Sequence, residues 1–198
     1  MIRLKKIKSA FEIAMERAEQ IDDKFTAEEE EMFKREKVKP LLTKFYKNKI
    51  NAEGLWQKLK EENDVELYNQ AQLLLLDSIG LKTTTEQLKK RKEGILAVEN
   101  LKGSSNTSIF EQAIEQIAKL QKKYRDEYER YQKMYEEAVE NAEMSMKPVR
   151  TRDGKTVMQL QQSLDEDTEK QLKNALTQLE TQSKQMLNQL LNDIKSRI

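Results

Sequence analysis

The side chains that carry most enzyme chemistry are absent from this sequence. It contains no histidine and no cysteine, which excludes an imidazole general base, a Ser-His-Asp triad and the familiar cysteine or histidine zinc sites. Carboxylates, lysines, serines and tyrosines remain, but a catalytic group also needs a pocket, and narrow helical seams seldom enclose one. We therefore predict no catalytic residue, no metal site and no cofactor, and we expect a protein that is not an enzyme.

The most distinctive charged side chains are three cations around an Asp-Gly pair. Arg150, Arg152 and Lys155 surround this pair, and short runs with β-branched residues lie on either side. An Asp-Gly pair in such a setting is a strong signal for a tight β-turn. The sequence thus predicts a small β-hairpin at about 147–157. Its exposed cations either belong to a turn that only keeps the protein soluble or form a contact for a partner.

Four tyrosines form a second candidate contact surface. They recur at steps of three and four residues, so they share one face of a helix. Two-stranded helical seams usually use leucine, isoleucine and valine, and a buried tyrosine needs a partner for its hydroxyl group. The stripe is either an interior face packed against a neighbouring helix or the N-terminal domain, or a groove for a partner. Its members are Tyr124, Tyr128, Tyr131 and Tyr135.

A basic segment from Lys34 to Lys49 has Phe45 and Tyr46 among its lysines. Cations bind phosphates and aromatic rings stack on bases, so the segment is a candidate surface for nucleic acid. The alternative is a solvated helix face whose aromatic rings point inward. We favour this alternative because an acidic run at residues 28–31 reduces the local positive field.

The elements that must position these residues are helices. Charged residues make up 36% of the chain and hydrophobic residues 37%, with only two prolines and five glycines among 198 residues. Such a balance suits slender helices with narrow apolar seams. The β-branched alternation typical of strands is nearly absent. The sequence therefore predicts an all-α fold.

Apolar residues three or four apart predict an N-terminal bundle of about five short helices in residues 1–103, the first at about 4–21. Four residues each lie three positions before a Glu or Gln side chain, which is the signature of a capping box: Thr26, Thr83, Thr84 and Ser108. Pro40 predicts a break or kink at the residue before it. Gly80 predicts a helix end in the left-handed conformation.

Residues 104–198 have a heptad rhythm. One apolar series consists of Phe110, Ile117, Tyr124, Tyr131 and Ala138. A second, from Leu164 to Ile198, uses leucine, methionine and isoleucine, including Met186. The segment between the two series is short, so the second helix must run back beside the first. We predict a long antiparallel coiled-coil hairpin with the β-hairpin turn at its tip and arms of roughly 60 Å.

Charge and hydropathy limit where the protein acts. Thirty-six basic and 35 acidic side chains give a net charge of +1, so no whole-molecule field attracts nucleic acid or lipid. There is no cysteine and no apolar run of about 20 residues, so we expect a cytoplasmic protein. Lysines at positions 5, 6 and 8 would favour a membrane surface, but acidic residues follow within two turns. We do not expect a membrane partner.

These features favour a non-enzymatic interaction protein: an adaptor, assembly factor or chaperone-like spacer that acts on a protein partner through the hairpin and its basic tip. The alternative is a nucleic-acid or ribosome-associated module that uses the tip and the Lys34–Lys49 region. A coiled-coil seam also allows a homodimer. The apolar end that would supply the dimer contact comprises Leu190, Leu191, Ile194 and Ile198.

Overall fold

The computed structural model describes residues 26–103, 106–142, 144–162, 164 and 166–198. Within these ranges the chain forms six helices and a two-stranded antiparallel sheet. The predominantly helical fold is confirmed, and the small β-hairpin forms where it was predicted. The predicted first helix, at about 4–21, and the N-terminal lysines lie outside the described residues. The elements are α1 (Ala27–Tyr46), α2 (Ala52–Glu62), α3 (Val65–Asp77), α4 (Thr85–Lys102), α5 (Thr107–Glu140), β1 (Met144–Arg150), β2 (Thr156–Gln162) and α6 (Glu166–Lys195).

Reciprocal side-chain caps begin two of the helices. The Thr26 hydroxyl accepts a hydrogen bond from the Glu29 amide at 3.2 Å, and the Glu29 carboxylate accepts one from the Thr26 amide at 2.8 Å. The hydrogen bonds from Thr26 hold the pKa of Glu29 below its usual value. Thr84 and Gln87 form the same arrangement before α4. The capping boxes predicted at Thr26 and Thr84 are confirmed, and each satisfies backbone donors that a helix start leaves free.

The box predicted at Ser108 is wrong, because α5 already begins at Thr107, after Asn106, and has no side-chain cap. The overlapping box at Thr83 does not form either, since Thr84 is the cap of α4.

The predicted break before Pro40 is wrong, because α1 continues through it from Ala27 to Tyr46. The alternative, a kink, stays a prediction. Proline has no backbone N–H, so one carbonyl group of the preceding turn loses its helical hydrogen bond. Because Pro40 is exposed, this loss falls on the side of the helix that faces solvent. The buried side chains of Val38 and Leu42 hold the helix to the core on either side of it. The Thr43 hydroxyl also donates to the Lys39 carbonyl at 2.8 Å. Packing on both sides therefore outweighs the local preference for a break.

Gly80 does not end a helix, contrary to the prediction. Helix α3 already ends at Asp77 with Ser78 as its cap, and the glycines with positive φ among the described residues are Gly103 and Gly154. Gly80 instead lies in the connection to α4, where its amide donates to the Thr83 hydroxyl at 2.8 Å. Its carbonyl accepts a hydrogen bond from the Gln121 side chain of α5 at 2.7 Å.

One hydrophobic core joins the short helices to the base of the two long ones. Its fully buried side chains include Phe45 of α1, Leu59 of α2, Leu75 of α3 and Ile95 of α4. The first turns of α5 and the last turns of α6 enter the same core, with Phe110, Ile114, Ile117, Leu187, Leu191 and Ile194. The far halves of α5 and α6 project from the core as an arm. The proposed boundary between residues 1–103 and 104–198 stays a prediction.

Gly94 of α4 lies directly against buried side chains of α1 and α3. A Cβ atom at this position would lie 2.9 Å from Cε1 of Phe45 and 3.3 Å from Cδ1 of Leu75, both of which are buried. Contacts this short force packed side chains to move, and overpacking costs about 1–3 kcal/mol. That cost exceeds the gain of about 1 kcal/mol that alanine offers over glycine in a helix.

We therefore expect Gly94→Ala to destabilise the protein, although alanine is the better helix former. In a Phe45→Leu background, where the ring that the new methyl group meets is gone, the same substitution should be neutral or stabilising. Urea unfolding of the two single variants and the double variant measures this coupling. A Gly94→Ala protein that is more stable than the wild type would show that the contact with Phe45 does not constrain position 94.

Candidate partner-binding surfaces

The β-hairpin lies at the end of the arm. Its loop consists of residues 152–154, which Thr151 and Lys155 close with a hydrogen bond. The strands pair in register from Met144 opposite Gln162 to Arg150 opposite Thr156. The Thr151 amide donates to the Lys155 carbonyl at 2.8 Å, and the Gly154 amide donates to the Thr151 carbonyl at 2.9 Å. Gly154 has a φ of 76°. This is a tight turn followed by a left-handed glycine, one of the common hairpin loops. The strands also extend beyond the predicted range of 147–157.

The tip of the hairpin is strongly basic. Arg150, Arg152 and Lys155 are exposed, and none of the three forms an ion pair with another described residue. Residues 144–162 contain four basic side chains and one acidic side chain, a net charge of +3. We call the exposed residues Met144, Arg150, Arg152, Lys155, Val157 and Met158 the tip patch. It places positive charge about as far from the core as the arm reaches.

An acidic collar surrounds the base of the hairpin. Its side chains lie in the last turns of α5 and the first turn of α6, and all are exposed. They are Glu136, Glu137, Glu140, Glu166, Asp167 and Glu169. Charge along the arm therefore reverses sign over a short distance. A partner drawn to the tip patch by its negative charge is repelled if it extends onto the collar.

The apolar part of the tip patch was not predicted. Met144 is 66% exposed, Met158 is 55% exposed and Val157 is 45% exposed. Methionine side chains are flexible and polarisable and adapt to irregular apolar surfaces. A compositional signal was present, because three of the eight methionines of the chain lie in the hairpin. The tip patch thus combines positive charge with an accessible apolar surface.

The tyrosine stripe passes from the core to solvent along α5. Tyr124 is buried, Tyr128 and Tyr131 are half-buried, and Tyr135 is exposed. The rings of Tyr124 and Tyr128 lie 5.9 Å apart. Burial raises the pKa of Tyr124, and the charge of nearby Glu180 on α6 adds to the rise. Since Glu180 pairs with Lys184 at 2.7 Å, the buried end of the stripe lies beside an ion pair.

Two of the four tyrosines line a groove between the long helices. This groove, of about 330 Å³, is lined by Tyr128 and Tyr135 of α5 and by Leu172 and Leu176 of α6, with Gln132, Glu136, Glu169 and Lys173 around them. Tyr131 instead lies beside Arg130, whose guanidinium is 5.7 Å from its ring centre. The stripe therefore divides into a buried residue, a groove-lining pair and a residue outside the groove.

The Lys34–Lys49 region presents fewer free cations than its sequence indicates. Lys34 pairs with Asp64 at 3.5 Å and Arg35 with Asp77 at 2.7 Å. Lys37 and Lys39 pair with Glu62 and Glu36. These carboxylates reduce the attraction of the region for phosphate groups.

The aromatic residues of this region face inward. Phe45 is buried in the core. The half-buried Tyr46 donates to the Ser78 hydroxyl at 3.1 Å, and burial raises the pKa of Tyr46. Neither ring is therefore placed to stack on a base. This agrees with the inward-facing alternative that the sequence analysis favoured.

The apolar residues at the end of α6 pack against the core of the same chain. Leu191 and Ile194 are buried in the core, and Leu190 and Ile198 pack against it. The face of α6 that reaches the core passes through Leu187, whereas Met186, which the predicted seam included, is 54% exposed. The end that was expected to supply a dimer contact is thus used for packing against the bundle, and the homodimer stays a prediction.

No described helix is both long enough and apolar enough to cross a membrane.

The fold and these surfaces define a helical protein with a projecting arm that carries a β-hairpin. Residues 53–196 match the model of a family of unknown function, DUF6657, and the chain belongs to this family. The match runs from the start of α2 to the end of α6, so it includes the arm and the tip patch. No curated protein and no solved structure matches the chain.

Proposed function

We propose that this chain is a non-enzymatic, cytoplasmic interaction protein, an adaptor, assembly factor or chaperone-like spacer, that binds a protein partner through the basic tip of a coiled-coil hairpin. The observation that carries the proposal is the tip patch. Its three cations and the exposed Met158 contribute nothing to the core, yet they lie together at the end of an arm. The α5 part of this arm extends about 24 Å beyond the buried Tyr124, at 1.5 Å per residue. Side chains in such a place are available for contact with another molecule.

Coiled-coil pairing of α5 with α6 is part of the proposal. Glu180 and Lys184 lie near Tyr124, whereas Glu169 and Leu172 share a groove with Tyr135. Residues further along α6 therefore lie beside residues nearer the start of α5, which is an antiparallel arrangement. Half-buried leucines at positions 172, 176 and 179 of α6 supply apolar side chains at steps of four and three, as a seam between two helices requires.

A protein partner fits the tip better than a nucleic acid does. Bound nucleic acid is a continuous polyanion, and it would meet the acidic collar as soon as it extended beyond the hairpin. Residues 144–162 contain no aromatic side chain on which a base could stack. The ion pairs of the Lys34–Lys49 region weaken the second surface that the nucleic-acid alternative needs. A protein segment can be short enough to contact the tip alone.

The test is an affinity pull-down from an extract of the native host, with and without nuclease. The variant is Arg150→Ser/Arg152→Ser/Lys155→Ser, which removes three positive charges from the tip. We expect the wild type to recover a protein partner both with and without nuclease. Recovery of this partner should fall at least tenfold with the variant, because steering and contact at the tip depend on these cations.

A matched control removes the same charge from α5 near the core. Lys119, Lys122 and Lys123 are exposed on α5, and their replacement by serine should leave recovery of the partner unchanged. Equal recovery by the wild type and the tip variant would contradict the proposal and make the tyrosine groove the next surface to test. Recovery of nucleic acid that is lost on nuclease treatment would support the alternative, whose binding should also weaken steeply with salt.

A further inference from the structure

The sheet of the hairpin has two strands in the part of the chain that the structure describes, so each strand has an outer edge. Because Thr151 and Lys155 form a hydrogen-bonded pair at the turn, the alternation of an antiparallel ladder decides which groups face outward. The pairs Arg150–Thr156, Pro148–Met158 and Met146–Leu160 are non-hydrogen-bonded pairs. The backbone N–H and C=O groups of these residues therefore point away from the partner strand.

The two outer edges differ in their capacity to bind another strand. The outer edge of β1 contains Pro148, which has no backbone N–H, so a hydrogen bond to an added strand is missing at its centre. The outer edge of β2 has no proline from Thr156 to Gln162. Its outward donors and acceptors at Thr156, Met158 and Leu160 form an uninterrupted row, as a third strand would need.

We propose that the outer edge of β2 binds an extended, acidic segment of a protein as a third strand of the sheet. This inference rests on the proposed function and specifies how the tip binds its partner. Backbone hydrogen bonds would supply the pairing, as in other cases of strand addition. The net charge of +3 in residues 144–162 selects acidic side chains, and the exposed Met158 and Val157 offer apolar contacts on both faces of the ribbon.

Charge also argues against a second copy of this chain as the added strand. Pairing the β2 edges of two copies would bring two hairpins of charge +3 within the spacing of adjacent strands, about 4.8 Å. Like charges at this distance oppose association. An acidic strand of another protein meets the opposite field. Nucleic acid has no peptide N–H and C=O groups with which to continue the ladder.

The test is a titration of the isotope-labelled full chain, followed by NMR, with an acetylated and amidated peptide of alternating glutamate and valine residues. We expect the amide signals of Thr156, Met158 and Leu160 to shift most and their hydrogen exchange to slow. The inward amides of Val157 and Gln159 should change less, because they already bond to β1. A peptide of alternating lysine and valine should not bind. Absence of binding by the acidic peptide, or shifts without alternation, would overturn the inference.

Paired substitutions separate the strand edge from the side chains. Met158→Ala keeps the outward N–H, whereas Met158→Pro removes it, so we expect the proline variant to bind the peptide at least tenfold more weakly than the alanine variant. Thr156→Pro and Thr156→Ala form a second pair. Contacts between Val149 and Val157 in the NMR spectra show whether the hairpin persists in each variant. Equal affinities within both pairs would overturn strand addition.

These outcomes are distinguishable from a failure of the proposed function. If Arg152→Ser/Lys155→Ser abolishes binding of the peptide while the proline variants bind normally, the tip remains a binding site and strand addition is wrong. If the peptide binds as proposed while the pull-down recovers the same proteins with and without the tip cations, the strand edge is real and the proposed function is wrong.

Discussion

We expect Phe110→Ala to lower the free energy of unfolding by about 3–5 kcal/mol, the usual cost of truncating a buried phenylalanine. Phe110 lies in the first turns of α5, after the Gly103 linker, and is 0% exposed. It belongs to the same core as Phe45, Leu75 and Ile95 of the short helices. The loss should therefore destabilise both halves of the chain together and not the arm alone.

The single tryptophan makes this prediction easy to measure. Trp56 lies in α2, on the other side of the linker from Phe110. In urea unfolding, Trp56 fluorescence and far-UV circular dichroism should give coincident transitions, both shifted to lower urea in the variant. The exposed Gln112 of α5 is the control, since Gln112→Ala should change stability by less than about 0.5 kcal/mol. An unshifted Trp56 transition would show that residues 1–103 fold independently of the arm.

The second large effect is expected at Glu99, a carboxylate that is 0% exposed. Its Oε2 accepts a hydrogen bond at 2.8 Å from the side chain of Gln72, which is equally buried. The Lys102 ammonium donates to the side-chain oxygen of Gln72 at 3.1 Å and to a backbone oxygen of Ile198 at 3.3 Å. Burial lowers the pKa of Lys102, and the charges of Glu99 and Glu66 oppose this shift. This network ties α3 and α4 to the end of the chain.

Glu99→Ala should therefore lower the free energy of unfolding by about 2–5 kcal/mol. Leaving the buried Gln72 donor without an acceptor costs about 1–3 kcal/mol, and the cavity left by the side chain adds to this. Chemical denaturation measures the loss, with Asn100→Ala as the control because Asn100 is the exposed neighbour on α4. Glu99→Gln retains an acceptor and should cost less than Glu99→Ala. A loss below 1 kcal/mol in Glu99→Ala would mean that water or other groups replace the carboxylate.

Features that depend on a few neighbouring residues could be predicted from the sequence. The capping boxes at Thr26 and Thr84 are confirmed because a cap is set by residues three positions apart. The same spacing at Ser108 does not form a cap, because α5 begins before it. The tight turn also formed where Gly154 supplies the left-handed conformation. Its exposed cations lie where the sequence placed them. Their role in binding stays a prediction.

Features that depend on distant packing could not be predicted. Pro40 remains inside α1 because the core holds the helix on either side of it. Gln121 takes a buried position in α5, with 1% exposure, because its amide reaches the Gly80 carbonyl. Gly80 precedes Gln121 by 41 residues, so the residues around Gln121 do not indicate this hydrogen bond.

The candidate surfaces also combine features that neighbouring residues predict with features that distant packing decides. The tyrosine stripe was predicted as one face, but its burial changes along α5 because only the start of this helix enters the core. Leu187 is buried in place of Met186 because the last turns of α6 also contact α3, where Lys195 pairs with Asp77 at 2.5 Å. The apolar side of the tip patch appears only when the register of β1 and β2 is known.

The most direct test of partner binding at the tip is site-specific photo-crosslinking in the native host. A photoreactive amino acid replaces Asp153 at the turn in one protein and Asn188, exposed on α6 near the core, in another. We predict a protein adduct from position 153 that is absent from position 188 and that is lost when Arg150, Arg152 and Lys155 are changed to serine. Identical adducts from both positions, or an adduct at position 153 that persists without the three cations, would contradict the proposed role of the tip.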